Sequence, residues 1–399
     1  MRVTYLSPVG TVGGAERVLL ASLRALPDAL PGYAPTVILL ADGPLRAAAE
    51  SLGARVTLAE LPRDLATLGD TQLRGDRSRA GLLRDALGAA PALSRFARRL
   101  RAAIASTRPQ LLVTNGVKAH LLARFAAPRG TPIAWHVHDF LGERLLSGRL
   151  LRRLTAGVRG VIAVSEAVGH DAAGVLPNLR VVTVLNGLDT DHFAPGPAVD
   201  LDRLAGLPPG FASVRVGLVA TYANWKGHAV FLDALARVPG VRGYVVGGPV
   251  SSTAGSQVTL AELYAKAAAL GLRDRVGFVP FQSEPASVYR ALDIVVHAST
   301  RPEPFGLTIA EAMSCGRAVV VAAAGGAAKL FTEAHDALGH PPCDITALAA
   351  ALTRLAADAN LRQRLGANAR VTAVARFGLA RYGRELAAAY RGFATCPRE

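Results

Sequence analysis

The chain has 399 residues, carries a formal net charge of +15 and is 51% hydrophobic. That length exceeds one ordinary core and is typical of two domains of about 150–200 residues each. The longest uncharged apolar stretch, 318–328, is far shorter than the roughly 20 residues that span a bilayer, so no membrane-spanning helix is expected. The amino terminus lacks a secretory signal pattern, and the three cysteines lack disulfide or zinc-ligand spacing, so we expect a protein of the reducing cytoplasm.

The excess of positive charge indicates an anionic partner, such as a nucleotide or a lipid head group. Arginines crowd two predicted segments: Arg95, Arg98, Arg99 and Arg101, and then Arg149, Arg152, Arg153 and Arg159. Either these are solvated helix faces, or they dock the protein on an anionic membrane surface. Because no aromatic or zinc-finger pattern of a nucleic-acid binder is present, we expect no nucleic-acid partner.

In the first half of the chain, short β-rich apolar runs alternate with longer helical patterns, which predicts parallel βαβ construction. The predicted strands are 3–6, 36–40, 111–114, 133–137, 160–164 and 180–184. Helical spacing of apolar residues follows in segments such as 15–26 and 93–106. The segment 63–92, rich in Arg, Gly and Asp, is predicted to be a mobile excursion.

The alternation restarts in the second half, after a stretch rich in proline and glycine. The predicted strands are 214–219, 243–246, 276–279, 294–297 and 318–322, with helices such as 260–270 and 307–314 and a helical pattern from 345 onward. We therefore predict a first Rossmann-like domain over 1–195, a linker over 196–210 and a second Rossmann-like domain over 211–375. A last helix, 376–399, is expected to pack back towards the first domain.

The most specific motif is the segment 303–311, Glu-Pro-Phe-Gly-Leu-Thr-Ile-Ala-Glu, which follows a predicted strand and opens a predicted helix. Gly306 lets the backbone approach a ligand closely, and the free amides at a helix start suit a phosphate. Glu303 precedes the helix and Glu311 lies inside it, so the two carboxylates could contact different hydroxyls of one elongated ligand. The alternative is a surface loop followed by a charge on the helix surface.

Two further loops follow predicted strands. Lys226, one of only four lysines, lies where an ammonium can neutralise a departing diphosphate, although a plain surface lysine is the alternative. Gly13 and Gly14 close a strand-to-helix turn without the full G-x-G-x-x-G spacing, and an ordinary βα turn explains them equally well.

His136 and His138 stand at a predicted strand end, where we expect them to point to opposite faces, so that one of them is structural. Asp189 and Asp191 form an Asp-x-Asp sequence that could bind a metal. Because they follow an Asn-Gly pair in the turn-rich stretch, we expect a structural turn and no metal.

These motifs together resemble the retaining glycosyltransferases of family 4. The resemblance covers nearly the whole chain, through Gly-Gly-Ala-Glu at 13–16, His-Asp at 138–139, Val-Ser-Glu at 164–166, Asn-Gly-Leu-Asp at 186–189, Trp-Lys-Gly at 225–227 and the carboxylate pair of 303–311. It implies the α/β GT-B architecture, in which two Rossmann-like domains present parallel sheets to a central cleft. The first domain binds the acceptor and the second binds a nucleotide-sugar donor.

By the same resemblance, each of these positions receives a role. Glu311 binds the nucleotide ribose, Glu303 faces the donor sugar, and Lys226 neutralises the diphosphate. The backbone positions implied at the donor are Gly14, Phe305, Gly306 and Leu307, while His138 touches the donor sugar. The acceptor enters on the side of the first domain, where Asn115, Lys118 and His136 lie.

Two positions depart from the family pattern: Thr221 stands where an arginine usually binds the diphosphate, and Lys329 stands where a glutamate commonly follows a second Gly-Gly loop, Gly325-Gly326. We predict a retaining, metal-independent enzyme that moves a sugar from a UDP- or GDP-linked donor to a glycan, lipid-linked or small-molecule acceptor in glycoconjugate synthesis. The nucleotide sugar is a substrate, so no cofactor is expected, and the protein is cytoplasmic or peripheral at the membrane. A GT-B-like epimerase or phosphorylase, or a catalytically silent nucleotide-sugar-binding protein, is the alternative.

Overall fold

The computed structural model describes residues 1–62, 79–143, 145–208, 213–249 and 256–395, with 79–91 and 145–147 described for their backbone only. The chain folds into two compact units, the first formed by Met1–Gly187 with Leu379–Glu399 and the second by Leu188–Gly378. The segment predicted as a linker, 196–210, therefore lies within the second unit. The last helix of the chain belongs to the first unit.

The first unit is a seven-stranded parallel sheet in the order β3-β2-β1-β4-β5-β6-β7. Its strands are β1 Arg2–Ser7, β2 Ala34–Leu39, β3 Arg55–Leu58, β4 Leu111–Asn115, β5 Ile133–Val137, β6 Val158–Ala163 and β7 Val181–Thr183. Its helices are α1 Gly14–Ala29, α2 Pro44–Ser51, α3 Arg79–Thr107, α4 Val117–Ala126, α5 Leu145–Arg153, α6 Glu166–Val175 and, at the end of the chain, α14 Leu379–Thr395. Helices link most of these parallel strands, since such strands need a crossover connection.

The central strands of this sheet are covered on both faces. Every residue of β4 and β5 is buried, as expected for parallel strands whose crossover helices pack on both sides. Helix α14 packs closely on α1, where the side chains of Ser22 and Tyr382 share a hydrogen bond of 2.8 Å. Gly383 permits this approach, because a Cβ atom there would lie 2.4 Å from the carbonyl oxygen of Ala25.

The second unit is a six-stranded parallel sheet in the order β10-β9-β8-β11-β12-β13. Its strands are β8 Val214–Val219, β9 Val241–Gly247, β10 Val276–Pro280, β11 Ile294–His297, β12 Ala318–Ala322 and β13 Leu338–His340. Its helices are α7 Leu201–Ala205, α8 His228–Ala236, α9 Leu260–Ala269, α10 Pro285–Ala291, α11 Leu307–Ser314, α12 Ile345–Ala357 and α13 Ala359–Phe377, with short 3-10 turns at Asn224–Lys226 and Ala327–Lys329.

A buried charge network holds the short helix α7 on this sheet. Asp202 accepts hydrogen bonds from Arg242 at 2.6 Å, Tyr244 at 2.5 Å and Arg215 at 3.2 Å. Burial alone would raise the pKa of Asp202, but the hydrogen bonds from Tyr244 and Arg242 outweigh it and lower the pKa. The carboxylate therefore stays ionised and paired, which is the condition under which a buried charge is tolerated.

Every strand predicted from the sequence is confirmed, and the structure adds the short strands β3 and β13. Both carry few apolar residues, Arg-Val-Thr-Leu and Leu-Gly-His, so periodicity gave no signal for them. Of the predicted excursion 63–92, residues 63–78 lie outside the described residues, and 79–92 instead form the first turns of α3. Across the part of the chain that the structure describes, no helix is long and apolar enough to span a bilayer.

Candidate functional site

Each sheet contains one point where the strand order reverses. In the second unit, β9 lies on one side of β8 and β11 lies on the other, so the reversal falls between β8 and β11. Ligands of open parallel sheets bind outside the carboxyl ends of the strands at such a point. The loops 220–227 and 298–306, which follow β8 and β11, therefore frame the candidate donor site. The matching reversal in the first unit lies between β1 and β4.

The two loops meet in an ion pair. The Nζ atom of Lys226 lies 3.0 and 2.8 Å from the two carboxylate oxygens of Glu303, and both side chains are mostly shielded from solvent. Ser299 donates to the same carboxylate at 2.8 Å, and His297 Nε2 lies 3.3 Å from it. Burial alone would raise the pKa of Glu303, but the Lys226 ammonium and the His297 contact hold it well below its ordinary value. Glu303 is therefore an anion across the physiological range.

Glycine lets the Lys226 loop lie directly against the Glu303 loop. Gly227 adopts a left-handed φ of 76°, and a Cβ atom there would lie 1.8 Å from the carbonyl oxygen of Ala298. The amide of Thr300 donates to the carbonyl of Trp225 at 2.8 Å. These contacts fix the backbone on either side of the ion pair.

A third loop, after β12, holds the backbone of Glu303 itself. The amide of Gly326 donates to the Glu303 carbonyl at 2.7 Å, and Glu303 forms a parallel bridge with Gly325. Any side chain at Gly325 would meet that carbonyl, since a Cβ atom would lie 2.6 Å from it. The Gly-Gly loop seen in the sequence therefore positions one of the two predicted carboxylates.

The second carboxylate lies inside α11. Gly306 is the N-cap of this helix with a φ of 104°, and no side chain caps its first amides. Phe305 is buried with its ring against Phe377 at 5.8 Å, so only its backbone can face a ligand; Leu307 is the first residue of α11. Glu311 is buried and accepts a hydrogen bond of 2.7 Å from the hydroxyl of Tyr289.

The two departures from the family pattern lie in the same group of loops. Thr221 is a half-buried residue of the loop after β8. Lys329 is exposed at the end of the 3-10 turn that follows the Gly-Gly loop, and its carbonyl accepts a hydrogen bond of 2.8 Å from Arg376. The turn thus keeps a fixed backbone although its last side chain carries a positive charge.

In the first unit, the Gly-Gly turn opens α1. Gly13 is the N-cap, and its amide donates to the Glu16 carboxylate at 3.1 Å, which is the glutamate half of a capping box. Glu16 is buried, and this burial raises its pKa in spite of the hydrogen bonds it accepts. Gly14 is exposed in the first turn, where its backbone is accessible.

The histidines at the end of β5 correct one expectation. The rings of His136 and His138 lie 4.4 Å apart, so the prediction that they point to opposite faces was wrong. Side chains alternate along a strand, and residues two positions apart therefore share a face. Asn115, on the neighbouring strand, accepts a hydrogen bond from His138 Nε2, while Lys118 lies half-buried in the first turn of α4.

Burial controls the charge of these histidines. His136 is 3% exposed, and burial lowers its pKa to about 4. His120 is also buried, shares a hydrogen bond with Thr114 and stacks on Trp135; burial and the nearby His136 lower its pKa to about 3. Both rings are therefore neutral at pH 7.

Sequence reasoning missed three side chains of the candidate donor site. His297 and Ser299 stand two residues apart at the end of a predicted strand, so their side chains are expected on one face. Because both lie just before Glu303 in the sequence, this spacing could have identified them. Tyr289 comes from α10, and nothing in its local sequence links it to Glu311.

The Asp-x-Asp sequence forms a turn. The Asp189 carboxylate accepts hydrogen bonds from the amides of Asp191 at 3.2 Å and His192 at 3.0 Å, the pattern of an Asx turn. Within the described ranges, no group of three His, Cys, Asp or Glu side chains is arranged to hold a metal ion.

Two sequence families match the chain. Glycosyltransferase Family 4 matches residues 12–192, and Glycosyl transferases group 1 matches residues 214–372. The D-inositol 3-phosphate glycosyltransferase of Mycolicibacterium smegmatis is 40% identical over 149 residues, covering 37% of this chain and 33% of that protein. The protein of the same name from Stackebrandtia nassauensis is 35% identical over 256 residues, covering 59% of this chain and 56% of that protein. These alignments thus span one third to just over half of the length of the curated relatives.

A solved structure aligns over almost the whole chain. The Anabaena protein HepE, in complex with UDP and glucose, has a TM-score of 0.78 and 26% identity, covering 98% of this chain and 99% of that chain. HepE has also been solved in complex with UDP-glucose.

Proposed function

Because this chain belongs to family 4 of the glycosyltransferases and has the GT-B fold, we propose that it transfers a sugar from a nucleoside-diphosphate donor to an acceptor hydroxyl. The observation that carries the proposal is the contact between Lys226 and Glu303 at the strand reversal of the second unit. There, a cation lies beside an ionised carboxylate, and the uncapped start of α11 follows in the chain. The cation and the uncapped helix start suit a diphosphate, and the carboxylate suits sugar hydroxyls.

The leaving group is stabilised by fixed charge. In this proposal Lys226 and the first amides of α11, from Gly306 onward, bind the diphosphate and neutralise the charge that develops as the glycosidic bond breaks. A lysine and a helix dipole supply positive charge without a metal, so we propose metal-independent transfer. Thr221 contributes a hydroxyl where the family usually has an arginine.

The two carboxylates divide the rest of the donor between them. Glu311, oriented by Tyr289, binds the ribose hydroxyls, and Glu303 binds the transferred sugar. Glu303 already accepts from Lys226 and Ser299, and such a carboxylate is a weak nucleophile. We therefore propose a front-face displacement with retention, in which Glu303 stabilises positive charge on the sugar and forms no covalent bond with it.

The donor that we propose first is a UDP-linked hexose, because HepE was solved with UDP and with UDP-glucose. The acceptor is a glycan, a lipid-linked sugar or a small molecule, received by the first unit. Gly14, in the turn after β1, offers an accessible backbone. Lys118, just after β4, offers a cation. His138 contributes a ring nitrogen to a sugar hydroxyl.

Exposed arginines give the first unit a basic surface, defined as the arginines of 95–101 on α3 and of 149–153 on α5; Arg159, grouped with them from the sequence, is half-buried on β6 and is not part of it. Both helices pack against α4, and all of these side chains are exposed. Leu150, an apolar residue between the α5 arginines, is 45% exposed. Because cations flanking an exposed leucine suit an anionic lipid interface, we propose that this surface docks a cytoplasmic protein reversibly on the membrane.

A transfer assay tests the proposed function. Full-length protein is incubated with UDP- and GDP-linked hexoses and a panel of glycan, lipid-linked and small-molecule acceptors, and release of nucleoside diphosphate and the mass of the product are measured. We expect one donor class to give a glycosylated product with retained anomeric configuration, at an unchanged rate in excess chelator. Activity lost on chelation and restored by manganese or magnesium would show that a metal is required.

The other outcomes separate the alternatives. Release that depends on added phosphate would indicate a phosphorylase, and a free product sugar without any acceptor would indicate an epimerase. Donor binding without turnover on any acceptor would indicate a catalytically silent binding protein. This is the main alternative, because Thr221 and Lys329 both depart from the family pattern.

A further inference from the structure

We propose that Asn115 holds His138 in the Nε2-protonated tautomer, so that Nδ1 accepts a hydrogen bond from a hydroxyl of the bound sugar. This role rests on the proposed sugar transfer. Asn115 is thus a positioning residue that acts through His138, in addition to its place on the acceptor side of the protein.

Strand register brings the two residues together. Asn115 is the last residue of β4, and its partner across the parallel ladder is His136 of β5. His138 lies two residues further along, on the same face as His136. The Asn115 side chain is 3% exposed, and its Oδ1 atom is hydrogen-bonded to His138 Nε2.

This contact decides which ring nitrogen carries the proton. An amide oxygen can only accept a hydrogen bond, so His138 Nε2 must donate. In a neutral imidazole the other nitrogen then keeps a lone pair and becomes an acceptor. Burial, with smaller contributions from His136 and His120, lowers the pKa of His138 well below its ordinary value and keeps the ring neutral.

Further contacts lie around the His138 ring and the loop that follows it. His136 packs against one side of the ring at 4.4 Å between ring centres. The chain after His138 is held by Asp171 of α6, whose carboxylate accepts hydrogen bonds from the amides of Leu141 and Gly142. The loop after His138 is therefore held to α6, and the ring itself contacts His136 and Asn115.

Two buried polar atoms near the ring support a site built for a ligand. Among the described residues, neither the Nδ2 atom of Asn115 nor the Nε2 atom of His136 has a hydrogen-bond partner. A buried donor without a partner is costly, and the cost is understandable where the same side chain serves a bound molecule. A side-chain amide turned over, with Nδ2 facing His138, would leave the ring protonated on Nδ1, and the spectra described below would then contradict the proposal.

The tautomer can be read directly from full-length protein labelled with ¹⁵N histidine. Long-range ¹H–¹⁵N correlation spectra distinguish the two neutral forms, and His138→Gln assigns the signal by its loss. We expect the Nε2-protonated form in the wild type, a mixture of forms in Asn115→Ala, and the Nε2-protonated form again in Asn115→Asp, which keeps the acceptor oxygen. Asn178→Ala, at an exposed position of the same unit, is the matched control and should change nothing.

A Nδ1-protonated ring in the wild type, or an unchanged signal in folded Asn115→Ala, overturns the proposal. The spectra need no turnover, so they decide the tautomer even if no transfer reaction is found. Failure of this inference and failure of the proposed function are thus separate results.

Kinetics identify the hydroxyl. With a series of monodeoxy donors, we expect one donor to lose about tenfold in wild-type kcat/KM, the effect of one hydrogen bond. With the parent donor, Asn115→Ala should have a kcat/KM about tenfold below that of the wild type. With that one deoxy donor, Asn115→Ala and the wild type should have the same kcat/KM. Losses that simply add for every deoxy donor contradict the assignment.

Discussion

Burial lowers the pKa values of three histidines in the first unit, His120, His136 and His138. His136 has a pKa of about 4 in the folded protein because it is buried, against an ordinary value of 6.5. As the pH falls below 6.5, His136 becomes protonated in the unfolded chain but stays neutral in the folded chain. The folded state therefore loses stability down to about pH 4, where the folded ring is protonated too.

We predict that the free energy of unfolding of the first unit falls as the pH is lowered from 7 to 4.5, with His136 contributing up to about 3 kcal/mol of the loss. Urea unfolding, followed by Trp135 fluorescence in a Trp225→Phe background, measures this. His136→Gln should make the decline less steep by the share of His136 and leave the shares of His120 and His138, whose pKa values burial also lowers. His170→Gln, at an exposed position on α6, should leave the decline unchanged. An equal decline in all three proteins would show that His136 is not the group responsible.

At single residues, local backbone conformation could be predicted from contiguous sequence. Glu303, Gly306 and Glu311 were singled out from one contiguous motif, and the left-handed Gly306 at the start of α11 agrees with the close backbone approach expected of it; their roles at a donor stay predictions. The partners of a side chain were not predicted. That Lys226 would bind Glu303 depends on β8 and β11 being neighbours, which no local pattern contains.

At the scale of elements, the sequence showed two groups of arginines but not whether they form an exposed basic surface. The sequence left solvated helix faces and a docking surface as alternatives. The structure places the arginines of 95–101 and of 149–153 on two helices that both pack on α4, with their side chains exposed. Attraction to an anionic bilayer is worth about 1 kcal/mol for each basic residue near it, and it is screened by salt.

We predict that the protein sediments with anionic vesicles at low salt but not with neutral vesicles, and that high salt releases it. Replacing four arginines of the basic surface should abolish sedimentation: Arg98→Ala, Arg99→Ala, Arg152→Ala and Arg153→Ala. A control of equal charge change uses exposed arginines of the second unit and should still bind: Arg203→Ala, Arg273→Ala, Arg354→Ala and Arg364→Ala. Equally weak sedimentation with both vesicle types would favour a solvated surface and a soluble acceptor.

Elements with a strong period were predicted almost to their ends, as with β8, β11 and α11. Periodicity failed where few side chains are apolar, which is why β3 and β13 were missed. It also gave no reason to place a helix at 201–205, because α7 is held by ion pairs of Asp202 more than by an apolar stripe. The order of the strands in each sheet could not be predicted from periodicity either, because it depends on contacts between distant parts of the chain.

At the scale of the whole molecule, both units repeat one design, a parallel sheet whose order reverses beside the strand that begins it. In each unit the residues singled out from the sequence lie at the carboxyl ends of the strands next to that reversal, such as Gly14 and Asn115 in the first and Lys226 and Glu303 in the second. The family match and the 98% coverage by the HepE structure agree with this two-sheet GT-B fold. The central claim is that the loops of the second unit bind the nucleotide sugar.

Calorimetric titration of a UDP-hexose into matched variants tests that claim most directly. Lys226→Met and Glu311→Gln should each weaken binding by about tenfold or more, the cost of losing a hydrogen bond to a charged group. Lys266→Met is the matched control, since Lys266 pairs with Asp233 at 2.8 Å on other helices of the same unit, and it should bind like the wild type. Thermal unfolding of each variant checks that it is folded. Wild-type affinity in both folded Lys226→Met and folded Glu311→Gln would contradict the donor site described here.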